Sequence, residues 1–276
     1  MALSQKKRTT ETTNPSDRLR ERVLEDARTL KLSLPDEILD AALARAEQEK
    51  LSHLHFLHQL LGEPAARRRQ QAVARRIREA RFHEDRTLIN FDWNFNAAAI
   101  DRAQIEQLAT GEFVRRAENF VMVGQSGVGK SHLAQALGRR HCELGYRVRY
   151  VTSAALLDEL RASLADQTLP GKIRYWSRFD SVIIDEFGFD RIERGECPQA
   201  ANLFYKVIDA RSGRRSTTLI TNIDFDAWSE YLGDPPLAMA FLDRVVDGAI
   251  ILKIRGKSYR AHRAQKLPNP SKPDAA

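Results

Sequence analysis

The chain has 276 residues, 42% hydrophobic and 29% charged, with a formal net charge of +7. That is enough for one large α/β domain and a small accessory domain. No stretch approaches the roughly 18 consecutive apolar residues of a membrane span, and Met1–Arg8 lacks the apolar core of a secretion signal. The two cysteines, Cys142 and Cys197, have no metal-ligand spacing around them, which argues against a disulfide framework or a zinc finger and for a reducing cytoplasm. A basic balance permits nucleic-acid binding without establishing it.

Residues 1–16 are polar and read as a disordered tail. Residues 17–82 read as a small helical domain. Arg18 to Leu30 has helical spacing, and Pro35-Asp36-Glu37 resembles a helix start, with a proline near the first turn and acids behind it. Leu39, Ala42, Leu43 and Ala46 continue the period, as do Leu51, Leu54, Leu57, Leu60 and Leu61. The domain ends in Arg67, Arg68, Arg69, Arg75, Arg76, Arg78 and Arg81, set against the single acid Glu79. A solvated face is one reading. Like-charge repulsion along one helix is costly, and a polyanionic partner, DNA or an acidic protein surface, would relieve it.

From Phe120 onward, short β-rich runs alternate with helical stretches. The runs are Phe120–Val123, Val148–Thr152, Val182–Ile184, Thr217–Thr221 and Ile250–Ile254, with helices such as Ser131–Glu143 and Pro198–Arg211 between them. This alternation predicts a parallel sheet covered on both faces by helices. The proline-bearing residues 265–276 read as a second disordered tail.

Gly124-Gln125-Ser126-Gly127-Val128-Gly129-Lys130-Ser131 matches the phosphate-binding P-loop pattern in full. The glycines let the backbone turn tightly and aim N–H groups at phosphate, and the following helix adds its positive end. Lys130 would reach the β- and γ-phosphates of ATP, and the Ser131 hydroxyl would bind Mg²⁺. Val182-Ile183-Ile184-Asp185-Glu186 is an apolar strand ending in two acids. Asp185 is expected to hold the Mg²⁺ shell and Glu186 to polarise the attacking water; a metal removes the repulsion between adjacent carboxylates.

Two further residues stay open on these grounds. Asn222, at the tip of Ser216–Thr221, suits a strand-ending turn; if its strand lies between the other two, it would face the γ-phosphate. Arg244 follows the helical run Pro236–Leu242 and reads either as a local partner of Asp243 or as an arginine finger pointing into a neighbour's site.

The chain resembles the IstB group, ATP-binding helpers of insertion-sequence transposons, and is similar to the helicase loader DnaC. The resemblance runs from about residue 40 to 264. It is carried by Phe91-Asp92-Trp93, Gly124–Leu133, Ile184-Asp185-Glu186-Phe187-Gly188, Ser216–Asn222, Ala238–Arg244 and Gly256-Lys257-Ser258-Tyr259-Arg260. It implies an AAA+ P-loop ATPase core over residues 83–264 behind the helical N-terminal domain. It assigns Lys130, Ser131 and the adjoining His132 to the nucleotide loop, Asp185 and Glu186 to the acidic motif, Asn222 to a first sensor and Arg244 to the finger. It also implies Arg260 as a second sensor and Phe91 against the adenine. The partners implied are a transposase, double-stranded target DNA and further copies of the chain assembled head-to-tail. Such helpers often have a proline in the loop where this chain has Gln125-Ser126, and threonine where it has Ser131; backbone donors and a hydroxyl are kept. The basic residues 1–35 fall outside the likeness. For DNA, the arginine-rich stretch Arg67–Arg81 forms one candidate surface. Arg161, Lys172, Arg174 and Arg178 form another, as an inner groove of an AAA+ assembly. A helicase loader and a non-hydrolysing ATP-gated scaffold are the competing readings; Glu186, Asn222 and Arg244 together argue against the scaffold.

Overall fold

The computed structural model describes residues 14–189 and 199–266. The first tail up to residue 13, Cys197 and the run from residue 267 on lie outside the described residues, as does the expected helix start at Pro198. The chain divides into two compact units, before and after the Ala72–Val73 bond.

The first unit is helical. Helix α1 (Pro15–Thr29) is capped by the Asn14 side chain, which accepts from the Ser16 N–H, and Pro15 stands in its first turn; the cap and the proline start the helix within the stretch that composition reads as tail. Helix α2 (Asp36–Gln48) has Pro35 as its N-cap and Asp36 and Glu37 in its first turn. Helix α3 (His53–Ala80) follows. Leu24, Leu39 and Leu60 form a small core with Leu34, Ala42 and Phe56 packed on it. Arg20 grips Asp40 through two hydrogen bonds of 2.7 Å each. The division falls inside α3, ahead of residue 82, because the end of this helix serves the second unit. Ala80 is fully buried there, with Ile77 packed beside it.

The second unit is built on five parallel strands: β1 (Phe120–Gly124), β2 (Val148–Thr152), β3 (Ser181–Phe187), β4 (Ser216–Thr221) and β5 (Ile250–Ile254). Their order is β2-β3-β4-β1-β5. Burial on both faces explains why β1 and the middle of β3 read as continuous apolar runs, while the edge strand β5 alternates in burial. Val121, Val123, Val182, Ile184 and Leu219 face one core. Phe120, Met122, Ile183 and Ile220 face the other, as the two-residue period of a strand requires.

The second of these cores is covered by α4 (Arg102–Leu108), α5 (Glu112–Arg115) and α6 (Lys130–Glu143). The first is covered by α7 (Ser153–Ala165), α8 (Leu169–Trp176), α9 (Ala200–Arg211), α10 (Trp228–Leu232) and α11 (Pro235–Val246). A final helix, α12, spans Tyr259–Lys266. The fold is an α/β P-loop core, a parallel sheet packed between two layers of helices. Among the described residues no helix is long and apolar enough to cross a membrane.

Two features fix the edge of the sheet where the strands begin. Arg211 is fully buried and donates to the carbonyls of Trp176 and Ser216 at 2.6 and 2.5 Å; burial lowers its pKa to about 9. Asn119, immediately before β1, accepts from the Thr217 N–H and donates to the carbonyls of Arg244 and Val245. It ties the end of α11 to the edge of the sheet where the strands begin.

Candidate nucleotide site

In a parallel sheet the strands finish along one edge, and ligands bind in the crevice beyond it. Here β3, β4 and β1 are adjacent, so three motifs far apart in sequence emerge side by side. After β1 comes the glycine-rich loop, after β4 Asn222, and at the end of β3 Asp185 and Glu186. All of them line one cavity of about 340 Å³, a volume within the range of small-molecule sites.

The loop between β1 and α6 depends on two left-handed residues. Gly127 has φ of 84° and Gly129, the N-cap of α6, has φ of 105°. Side chains are disfavoured there. A Cβ on Gly127 would also collide with Ser258 Oγ, and one on Gly129 would meet the Phe91 ring at 3.0 Å. The turn thus brings the free N–H groups of the α6 start toward the cavity, where a phosphate is favoured. Lys130 is buried and donates to the carbonyls of Gly124 and Gln125 at 2.6 and 2.9 Å. Burial lowers its pKa, with nearby Asp185 acting in the opposite sense. Ser131 and His132 follow on the first turn of α6 and line the same cavity. The loop and cavity walls suit a nucleoside triphosphate.

Asp185 is 2% exposed, while Glu186 is exposed. Strict alternation would send them to opposite faces of the sheet. A register shift between Ile184 and Phe187 against β4 inserts an extra residue, and such bulges re-aim a side chain. Glu186 takes φ of 62°, a left-handed conformation that costs a non-glycine residue on the order of 1–3 kcal/mol. Both residues line the cavity. The Glu186 N–H donates to Asp185 Oδ1 at 2.8 Å, and the Tyr150 hydroxyl donates to Oδ2 at 2.6 Å. No group of three His, Cys, Asp or Glu side chains suited to a metal occurs among the described residues. A Mg²⁺ held by one carboxylate, one hydroxyl and the phosphates of its nucleotide needs none, and the donors Asp185 and Ser131 fit that demand.

Phe91 packs edge-on against His132 at 5.1 Å and against Trp93 at 4.9 Å. The preceding loop is self-bracketed: the Thr87 N–H donates to Asn90 Oδ1, the Asn90 N–H to Thr87 Oγ1, and His132 Nε2 meets the Thr87 carbonyl at 2.9 Å. On the other side, Asn96 brackets Lys257 with two hydrogen bonds of 3.0 Å, and the Tyr259 N–H donates to the Gly127 carbonyl. This clamp brings Arg260 and Arg263 of α12 to the cavity wall. The sequence points to Arg260 and not to Arg263, which carries no motif.

Arg244 is not among the residues that line this cavity. Its carbonyl is held by Asn119, at the start of β1, whereas the P-loop follows that strand's end. Its guanidinium pairs with Asp209 and Asp243 at 3.1 and 3.0 Å, so the local pairing with Asp243 that the sequence allows is present. Arg67, Arg68 and Arg69 are exposed on α3, with Arg67 paired to Glu63 at 2.7 Å; this acid lies just outside the window in which Glu79 stood alone. In the second unit, Arg75 is exposed, 3.9 Å from Glu79, and Arg76 is half-buried. Arg161 on α7 and Arg174 on α8 are exposed. Lys172 pairs with Glu159 at 3.4 Å and lies over the Tyr175 ring.

Comparison with known proteins places the chain in a family. Residues 25–267 match the profile of the IstB-like ATP binding protein family. A Pseudomonas aeruginosa protein named for the insertion sequence IS21 and for ATP binding is 33% identical over 83% of this chain and 84% of its own length. A Geobacillus stearothermophilus protein named likewise for IS5376 is 29% identical over 88% of this chain and 94% of its own. Among solved structures, DnaI superposes with a TM-score of 0.51 at 20% identity, covering 62% of this chain and 91% of that one. The AMPPCP-bound DnaA of Aquifex aeolicus gives 0.50 at 17% identity, covering 70% and 59%. These two likenesses concern the fold.

Proposed function

The chain belongs to the IstB-like ATP binding protein family, and from that premise we propose that it is an ATP-hydrolysing, DNA-binding helper of an insertion-sequence transposase, assembling on and remodelling target DNA. The observation that carries the hydrolytic part is the meeting of Lys130, Asp185, Glu186 and Asn222 around one cavity at the ends of three adjacent strands. A protein that only held nucleotide would need the loop but not an exposed carboxylate on a strained backbone beside it. The relatives' names refer to insertion sequences, which favours the transposition helper over a helicase loader.

In this reading the N–H groups of Gly127–Lys130 and the Lys130 ammonium bind the β- and γ-phosphates. Ser131 and Asp185 hold Mg²⁺, which when bound neutralises charge building on the phosphate oxygens. Glu186 accepts a proton from the attacking water, Asn222 orients that water, and Arg260 contacts the phosphates from α12. Phe91 and His132 border the base. Calorimetry tests the nucleotide reading: MgATP binds the wild type, and Lys130→Ala weakens or abolishes binding because a point charge between two phosphates is removed. Unchanged affinity in this variant overturns it.

DNA is bound in this reading through phosphates, without strong sequence preference, by Arg67, Arg68, Arg69, Arg75 and Arg76 on α3 and by Arg161, Lys172 and Arg174. The pair between Lys172 and Glu159 is half-buried and long, at 3.4 Å, and a phosphate can compete for the ammonium. Neutralising four phosphates would give a log–log salt slope of about −3.6, a fall in affinity on the order of 100-fold between 50 and 200 mM salt. Charge reversal at Arg67, Arg68 and Arg69 together should flatten that slope by roughly 0.9 for each phosphate left unneutralised. An affinity independent of salt over this range removes the phosphate-binding reading.

A further inference from the structure

Asp185 carries a restraint that sequence motifs do not record. Strands β2 and β3 are neighbours, with Tyr150 opposite Ile183 and Thr152 opposite Asp185. Residues two apart on a strand share a face, so Tyr150 lies on the same side of the sheet as Asp185, one step back. Its ring spans that step and its hydroxyl donates to Asp185 Oδ2 at 2.6 Å. Tyr150 is 5% exposed and Asp185 2%, so water does not compete freely for this bond. The ring is itself held edge-on by His83, at 4.9 Å between centroids, and flanked by Phe82. With Oδ1 already accepting from the Glu186 N–H, each carboxylate oxygen has one fixed donor. Rotation of the group is blocked, and each oxygen retains lone-pair capacity for another ligand.

We propose that Tyr150 is a positioning residue that locks the Asp185 carboxylate in its metal-binding orientation. This rests on the assignment of Asp185 to Mg²⁺ in the proposed function. A buried tyrosine hydroxyl needs some acceptor, and the Ile183 neighbourhood is apolar. What marks this bond is that its acceptor is a carboxylate buried in the wall of the nucleotide cavity. Partners that orient a metal ligand typically change metal affinity about 10–100-fold when removed.

The experiment uses Tyr150→Phe in the full chain, which keeps the ring in its packing and removes only the donor. ATP binding is measured by calorimetry without metal and across a Mg²⁺ titration, for wild type, Tyr150→Phe, Asp185→Asn and the double variant. The expected result is an unchanged metal-free affinity for ATP and a Mg²⁺ half-saturation raised about 10-fold or more in Tyr150→Phe. In the Asp185→Asn background the same change should add nothing, because its effect passes through the carboxylate. An unmoved Mg²⁺ half-saturation in Tyr150→Phe overturns the inference. So does a fall in metal-free ATP affinity as large as the fall with metal, which marks a merely structural role. Should wild type bind ATP with no dependence on Mg²⁺ at all, the assignment of Asp185 fails first and the role of Tyr150 falls with it.

Discussion

Arg244→Ala and Lys130→Ala are each expected to be inactive in ATP hydrolysis, and a mixture of the two is expected to regain part of the wild-type rate. The reason is geometric. Asn119 pins the Arg244 carbonyl beside the beginning of β1, and the nucleotide cavity lies beyond that strand's other end. Five residues of strand at roughly 3.3 Å each separate the two levels by about 16 Å. Helix α11 also packs on the face of the sheet opposite α6, so the guanidinium is remote from its own P-loop in two directions. A second copy stacked head-to-tail would present Arg244 to the ATP of its neighbour, and interfaces of that kind build rings or open spirals. A guanidinium supplied in this way is worth roughly 10³–10⁵ in rate. Its present partners, Asp209 and Asp243, are exposed side chains, and surface pairs of this sort cost about 0–1 kcal/mol to exchange. In the mixture, some interfaces join an intact Lys130 site to an intact Arg244, which is why activity returns. Should the mixture stay inactive while both variants co-assemble, or dilute monomer hydrolyse at the full rate, the in-trans role is wrong.

Glu186→Gln should bind MgATP about as well as the wild type while releasing phosphate about 10²–10⁴-fold more slowly, the usual contribution of a positioned general base. The substitution keeps the side chain's size and its place on the bulge, and removes only the proton acceptor. It should also prolong the ATP-bound assembly, visible as a larger species by light scattering with ATP than with ADP. Phosphate release at the wild-type rate would show that another group activates the water. A hydrolytic role for the side chain would account for the left-handed backbone at Glu186.

What the sequence determined alone was whatever is contiguous. The P-loop is eight consecutive residues whose glycines carry the turn locally, and Gly127 and Gly129 do occupy the left-handed region. Five short β-rich runs separated by helical stretches specify a parallel sheet, because alternating strands and helices pack as a sheet covered on both faces. Asp185 and Glu186 are adjacent, so their pairing needed no fold to be seen. Tertiary structure decided what depends on strand order and register. That β4 lies between β1 and β3, bringing Asn222 to the cavity, follows from crossover connections that no local pattern encodes. Helix α3 runs past the division between the two units, and its last turns bury Ile77 and Ala80 in the second core. Tyr150, in an apolar run, reads as an ordinary core aromatic until its strand is set beside Asp185. Arg244 shows the same limit most clearly: from sequence it is an arginine next to an aspartate, and only the hydrogen bonds of Asn119 place it at the far edge of the sheet, because a strand's two ends are distinguished by direction in space and not by composition.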